Sequence, residues 1–306
     1  MDWRVSKALI IGAGSIGTRH SFVLEDLGLD TAFVTSRTDL DSTTFTGIPE
    51  ALDAFAPDYV VVANETALHA GAVQQLALAG YTGTLLVEKP LAVEVSALGG
   101  FSRVGIGFNL RFHPALVALR EAAADADVFT AEAYVGQALP SWRPGRPLRE
   151  QYSAVKSRGG GVLRDLSHEI DYLGWLLGEC RGVFARGGRL GTVTVDADDA
   201  WGVVAEYERA PVVTLQLNYL DTHTRRRVVL NTSRGTMAAD LIASTVRIGD
   251  VEKAFTVTPN GNYRAMHEAM LSAAGAGVAT GREAGETDLV IDMIERSAAT
   301  AEWVPQ

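Results

Sequence analysis

The chain has 306 residues, enough for two domains, since a single hydrophobic core rarely grows past roughly 250 residues. Hydrophobic residues make up 47% and charged residues 21%, a globular balance that excludes a disordered chain. Asp and Glu outnumber Lys and Arg by 37 to 27, and the net charge of −10 sets nucleic acid and anionic lipid aside as partners, because an acidic surface repels both.

The chain opens on Met1-Asp2-Trp3-Arg4-Val5-Ser6-Lys7 and runs straight into an apolar strand, without the long apolar stretch of a signal peptide. No apolar run approaches the roughly 18 residues that span a bilayer, so no membrane partner is expected. A single cysteine, Cys180, rules out an intrachain disulfide and a cysteine metal cluster. The expectation is a reduced, cytoplasmic protein with no metal site.

Apolar runs at 8–11, 32–34, 59–62 and 85–87 predict buried strands of a parallel sheet, and helical spacing at 16–27, 49–55 and 69–79 predicts the crossovers between them. That alternation points to an α/β, doubly wound first domain over residues 1–108, closed by a fifth strand at 104–108. The rhythm then changes. A helix is predicted at 114–124 with Pro114 in its first turn, then a polar loop over 136–160, then a helix at 161–177. From about 183 to 257 candidate strands at 201–207, 212–220, 227–231 and 245–248 follow one another without helices, which implies a large antiparallel sheet in a second α/β domain, residues 109–306. Two helices, 263–279 and 288–301, close the chain, and the last one is a candidate to pack back on the first domain.

The segment Ala8-Leu9-Ile10-Ile11-Gly12-Ala13-Gly14-Ser15-Ile16-Gly17 carries the strand, GxGxxG and helix succession of a dinucleotide site. Gly12 permits the tight turn, Gly14 admits a pyrophosphate against the backbone, and Gly17 lets the helix lie close to the strand. The N–H groups of Ser15, Ile16 and Gly17 would meet the pyrophosphate at the positive end of the helix. At the end of the second strand, Val34-Thr35-Ser36-Arg37 places no acid where the ribose 2′-hydroxyl of NAD is usually held. Ser36 and Arg37 suit a 2′-phosphate instead, so NADP(H) is favoured and NAD(H) kept as the alternative. Asn64 and Thr66 are candidates for the cofactor ribose or nicotinamide. His69 opens the next helix beside them, as a structural histidine at the cofactor edge.

Three further segments stand in order: Glu88-Lys89-Pro90 after a strand, Gly107-Phe108-Asn109-Leu110-Arg111-Phe112-His113-Pro114, and Gly159-Gly160-Gly161-Val162-Leu163-Arg164-Asp165-Leu166-Ser167-His168-Glu169-Ile170-Asp171. With the glycine motif, this ordered set resembles the Gfo/Idh/MocA oxidoreductase family across essentially the whole chain. The resemblance implies a Rossmann domain followed by an α/β domain whose open sheet often serves oligomerisation. It also implies that Lys89 reaches the reacting carbinol or carbonyl oxygen, with the Lys89–Pro90 bond often cis. The strand's carboxyl end is where open α/β sheets bind ligands, and an ammonium there stabilises developing alkoxide charge. Glu88, Lys89 and Asn109 are placed beside the nicotinamide.

His168 is the candidate general acid/base, because an imidazole gives and takes protons near neutral pH. Asp165 and Asp171 lie three residues to either side, so one helix would carry all three on one face. The family more commonly places the first aspartate four residues before the histidine, which leaves open whether Asp165 or Asp171 orients it. Arg111, Trp142, Arg143 and Tyr152 are substrate-side candidates that suit a polyol or an anionic sugar. His20, His223 and His267 give no functional argument. The leading reading is hydride exchange between a nicotinamide and a secondary alcohol or ketone of a sugar, sugar nucleotide or cyclitol. Reduction of an imine or other unsaturated metabolite, and a non-catalytic cofactor-binding regulator of the same fold, stand as alternatives. The apolar alternation at 212–217 suggests a homodimer or homotetramer.

Overall fold

Six short segments pair side by side in the computed structural model, which describes residues 6–272 and 274–306. They are β1 (Lys7–Ile11), β2 (Asp30–Val34), β3 (Thr43–Phe45), β4 (Tyr59–Val62), β5 (Thr84–Val87) and β6 (Arg103–Ile106), all parallel, in the order β3-β2-β1-β4-β5-β6. Helices α1 (Ser15–Asp26), α2 (Ile48–Phe55) and α3 (His69–Leu78) make the crossovers. The central strands are apolar throughout because both faces are covered. Leu9, Ile11, Val60, Val62, Leu85 and Val87 point into one core with Ala51 of α2 and Leu76 of α3. Ala8, Ile10, Tyr59, Val61 and Leu86 point into the other, against Leu24 of α1 and against Met266 and Met270 of a late helix, Gly261–Leu271. This is the doubly wound sheet expected. The strand that sequence patterning missed, β3, is a three-residue edge with little buried surface to mark it.

Contacts divide the molecule into two units, 1–112 with 258–285, and 113–257 with 286–306. The second unit holds a nine-stranded sheet. Its strands are β7 (Val128–Gly136), β8 (Cys180–Gly188), β9 (Ala200–Tyr207), β10 (Ala210–Asn218), β11 (Arg225–Thr232), β12 (Gly235–Asp240), β13 (Thr245–Ile248), β14 (Val251–Ala254) and β15 (Val304–Pro305), in the order β14-β13-β12-β11-β7-β10-β9-β8-β15. Every pairing is antiparallel except β7 with β10. One face is apolar and buried, through residues such as Ala133, Val203, Leu215, Val228 and Val246, under α4 (Pro114–Ala123) and α6 (His168–Leu177). On the other face Phe129, Phe184, Val204 and Val212 stand exposed.

Three sequence expectations are corrected. The helix expected over 161–177 is two helices, α5 (Val162–Asp165) and α6, because the backbone leaves helical geometry at Leu166 (φ −100°, ψ 26°). The helix expected to reach 279 ends at Leu271, as the chain turns extended at Ser272 and takes positive φ at Gly275 and Gly277; Ala273, within that expected span, lies outside the described residues. The last helix begins at Gly281 rather than 288. Thr280 and Glu283 explain the early start: the Glu283 amide donates to Thr280 Oγ1 (3.2 Å) while Glu283 Oε2 accepts from the Thr280 amide (2.8 Å), a reciprocal capping box. Among the described residues no helix is long and apolar enough to cross a membrane. The opening residues 1–5, read above for a leader, also lie outside the described residues.

Candidate functional site

In the first unit β1 runs directly into Gly12, whose φ of +103° only glycine adopts without strain. A Cβ there would lie 2.7 Å from the Asn64 backbone, and one at Gly17 would lie 1.9 Å from the Gly12 carbonyl oxygen. Both glycines are therefore required by close backbone approach. Gly14 is different: it caps α1 with extended backbone, and nothing lies within 4 Å of where its Cβ would be. The first bond of α1 runs from Thr18 N to Gly14 O (2.9 Å), so the N–H groups of Ser15, Ile16 and Gly17 have no intrahelical acceptor. An open glycine, free amides and a positive helix end form a cradle for a pyrophosphate. Asn64, facing Gly12 from the end of β4, carries a buried Oδ1 with no hydrogen-bond partner. These features fit a dinucleotide.

Ser36 and Arg37 stand in the exposed stretch after β2. Arg37 does not extend a free guanidinium. Its Nη1 donates to Ala13 O (2.8 Å), while Nε and Nη2 grip Asp39 Oδ1 and Oδ2 at 2.9 and 2.8 Å. That fork raises the arginine pKa and lowers that of Asp39. Asp39, an acid that the sequence reading did not weigh, thus stands beside Arg37 in the stretch after β2.

At the carboxyl end of β5, Glu88 is buried, Lys89 is half-buried and the Lys89–Pro90 bond is cis. Glu88 Oε2 accepts from the Lys89 amide (3.2 Å). His69 lies between Pro90 O (3.1 Å) and Asn64 O (3.3 Å), fastening the loops that follow β4 and β5. Burial holds its pKa below the ordinary value. Thr66 starts the short turn Thr66–Leu68 just before it. Asn109 is buried beside Tyr263, and Arg111 is buried in an ion pair with Glu283 (2.7 Å). Arg111 thus ties the end of β6 to the start of the last helix.

In the second unit three substrate-side candidates, Trp142, Arg143 and Tyr152, gather around the Asp165 carboxylate, directly or through one tyrosine ring. Asp165, buried at the end of α5, accepts from the Tyr219 hydroxyl at 2.6 Å. The Trp142 ring meets Tyr219 edge-on at 5.3 Å, and the Arg143 guanidinium lies 5.2 Å over the Tyr152 ring. The Asp165 charge and burial push Tyr152 up, and burial and Asp165 push Tyr219 up as well, so both phenols remain donors. Tyr219 was missed in the sequence because it reads as one more apolar residue of the strand expected over 212–220. His168 opens α6 three residues beyond Asp165, and Asp171 follows one turn later, buried. With the helix broken at Leu166, Asp165 does not share the helix of His168 and Asp171. Next to His168, the fully buried Glu169 takes a two-point grip from Arg226 (2.8 and 3.0 Å). Among the described residues, no group of three or more His, Cys, Asp or Glu could hold a metal ion.

Residues 125–238 match the model of the GFO/IDH/MocA C-terminal domain. The chain is 27% identical over 195 residues to inositol 2-dehydrogenase of Rhizobium meliloti, a match covering 60% of this chain and 53% of that protein. It is 30% identical over 200 residues to inositol 2-dehydrogenase 2 of Paenarthrobacter aurescens, covering 55% and 54%. The chain thus spans about half the length of the curated relatives it matches. Among solved structures, GenD2 from gentamicin A biosynthesis, in complex with NAD, superposes with a TM-score of 0.81 at 22% identity over 99% of this chain and 96% of that one. The WlbA dehydrogenase of Bordetella pertussis, in complex with NADH and UDP-GlcNAcA, gives 0.79 at 18% identity over 99% and 98%. Behind its doubly wound first unit, the chain is thus similar over residues 125–238 to the C-terminal domain of the GFO/IDH/MocA family.

Proposed function

We propose that the protein is a nicotinamide-dinucleotide-dependent oxidoreductase acting on a secondary alcohol, or the matching ketone, of a sugar, sugar nucleotide or cyclitol. The observation that carries this reading is the open Gly14 cradle at the head of α1, on the same sheet edge as Lys89. A nicotinamide bound there would supply or accept the hydride. The Lys89 ammonium holds the substrate oxygen and stabilises its negative charge as the C–H bond breaks or forms. His168 takes the hydroxyl proton in oxidation and returns it in reduction. Asp171, one helical turn on, orients that imidazole. Asp165, already accepting from Tyr219, instead builds a wall with Trp142, Arg143 and Tyr152 on which a polyol ring can lie. Gly12, Gly14, Ser15, Ile16, Gly17, Asn64 and Thr66 surround the dinucleotide.

At the 2′ position, Ser36 and Arg37 supported NADP(H) on sequence. The Arg37–Asp39 fork supports NAD(H), because the guanidinium is already neutralised and each Asp39 oxygen keeps a lone pair outside the fork to accept from a ribose hydroxyl. We adopt NAD(H) as the working cofactor. The apolar residues on the open face of the nine-stranded sheet support a homodimer or homotetramer.

The test is turnover with NAD⁺ and NADP⁺ over a panel of myo-inositol, levoglucosan and UDP-GlcNAcA. Lys89→Ala and His168→Ala are each expected to abolish turnover while dinucleotide affinity stays nearly unchanged. Wild-type turnover by either variant would remove that residue from the reaction.

A further inference from the structure

Behind the Glu88-Lys89-Pro90 turn, four buried side chains from four elements form one continuous line. Tyr59, at the start of β4, meets His267 Nδ1 at 3.0 Å. His267 Nε2, on the helix Gly261–Leu271, meets His20 Nδ1 of α1 at 2.8 Å. His20 Nε2 meets Glu88 Oε1, past the end of β5, at 3.0 Å. Tyr59, His20 and His267 are wholly inaccessible and Glu88 is 7% exposed. Gly107 leaves the room for this carboxylate, since a Cβ there would fall 2.7 Å from Glu88 Oε1.

The proton count has one solution. A buried hydroxyl must donate, and the only hydrogen-bond partner of Tyr59 among the described residues is His267 Nδ1. His267 therefore carries its proton on Nε2 and donates it to His20 Nδ1. His20 is then protonated on Nε2 and donates to Glu88. Glu88 accepts at Oε1 from His20 and at Oε2 from the Lys89 amide, so both carboxylate oxygens are engaged. Each donor has one acceptor, and all bonds point the same way, a pattern in which each bond strengthens the next.

We propose that His20, His267 and Tyr59 are positioning residues: their chain fixes the Glu88 carboxylate and, through it, the backbone from which Lys89 projects. The proposal rests on the reading of Lys89 given above, and it deepens that reading by assigning buried residues no role in binding or chemistry was seen for. A chain anchored on α1, β4 and the late helix sets Lys89 against the same framework that carries the dinucleotide cradle. Misplacement of such a group by about 1 Å can cost on the order of 100-fold in rate.

The test compares His20→Asn with His20→Gln in the full chain. The glutamine amide nitrogen overlays imidazole Nε2 and keeps a donor for Glu88, whereas that of asparagine overlays Nδ1 and leaves Glu88 Oε1 without one. A merely structural histidine would be hurt at least as much by either. With NAD⁺ and the best alcohol of the panel, kcat should fall roughly 10- to 100-fold in the asparagine variant. KM for NAD⁺ should not move, and glutamine should restore most of kcat. Equal losses in the two variants, or a loss confined to the KM for NAD⁺, would overturn the proposal. A wild type that turns over nothing in the panel counts against the functional reading alone, because nitrogen-15 NMR of the imidazoles tests the chain without turnover. The expected spectrum shows both rings as Nε2–H tautomers at neutral pH, and loss of that preference for His267 in Tyr59→Phe. An Nδ1–H tautomer on either ring of the wild type would refute the chain itself.

Discussion

Replacing Gly14 by aspartate separates what the fold needs from what the dinucleotide needs. Gly14 caps α1 without a side-chain bond, and its missing Cβ would point into open space. Aspartate is among the best N-cap residues and also complements the helix dipole, so the ligand-free protein should gain about 0.5–1.5 kcal/mol. The same carboxylate would stand about 4 Å from a phosphate resting on the free amides of Ser15, Ile16 and Gly17. Two unit charges at that distance repel by about 4 kcal/mol at an effective dielectric of 20, close to a thousandfold in affinity. The assays are thermal unfolding of the ligand-free chain and calorimetric titration with NADH. Gly14→Asp should raise or preserve the unfolding temperature while NADH binding falls by at least about 100-fold. Unchanged NADH affinity would refute the placement of the pyrophosphate, and destabilisation would refute the reading of Gly14 as an open cap.

Gly17→Ala should fail in both assays, because its Cβ would meet the Gly12 carbonyl oxygen and push α1 off the strand, at about 1–3 kcal/mol in stability. Asp39→Ala frees the Arg37 guanidinium and should shift the ratio of dissociation constants toward NADP(H) by roughly tenfold; a ratio that stays put would remove the fork from cofactor choice. Burial and the neighbouring His20 hold His267 well below its ordinary pKa of 6.5. Below that pH the unfolded chain takes up a proton that the folded one refuses, so this residue makes stability fall with acidification by about 1.4 kcal/mol per pH unit. Chemical unfolding from pH 7 to pH 5 should show a shallower decline in His267→Gln, and identical slopes would contradict the buried neutral imidazole. Arg226→Met strands the Glu169 carboxylate in the core and should cost about 3–5 kcal/mol, much of it recovered when Glu169→Leu is added. An additive loss in the double variant would contradict the pairing.

The first sheet was legible because each of its central strands is apolar on both faces and each turn residue has a local reason. The second was only half legible. Its central strand β7 presents Ala131 and Ala133 to the core, the weakest apolar signals available, so the alternation that exposes β9 and β10 is muted there. Thr280 and Glu283 spelled a helix start that periodicity alone placed seven residues late. At the candidate site, glycine spacing and ordered motifs singled out Gly12, Gly14, Lys89 and His168. Residues that act through distant partners were hidden: Tyr219 on Asp165, Arg226 on Glu169 and the histidines behind Glu88 join positions 54, 57 and 247 apart in the chain. No local pattern marks such a pair.

Transfer of isotope tests the central claim most directly. Myo-inositol or levoglucosan deuterated at its carbinol carbons is incubated with NAD⁺ and the wild type, Lys89→Ala or His168→Ala, and the nicotinamide C4 is read by NMR. The wild type should deliver deuterium to C4, and the two variants, still binding the dinucleotide, should deliver none above background. Reduced cofactor without deuterium, or undiminished transfer in both variants, would contradict the proposed reaction.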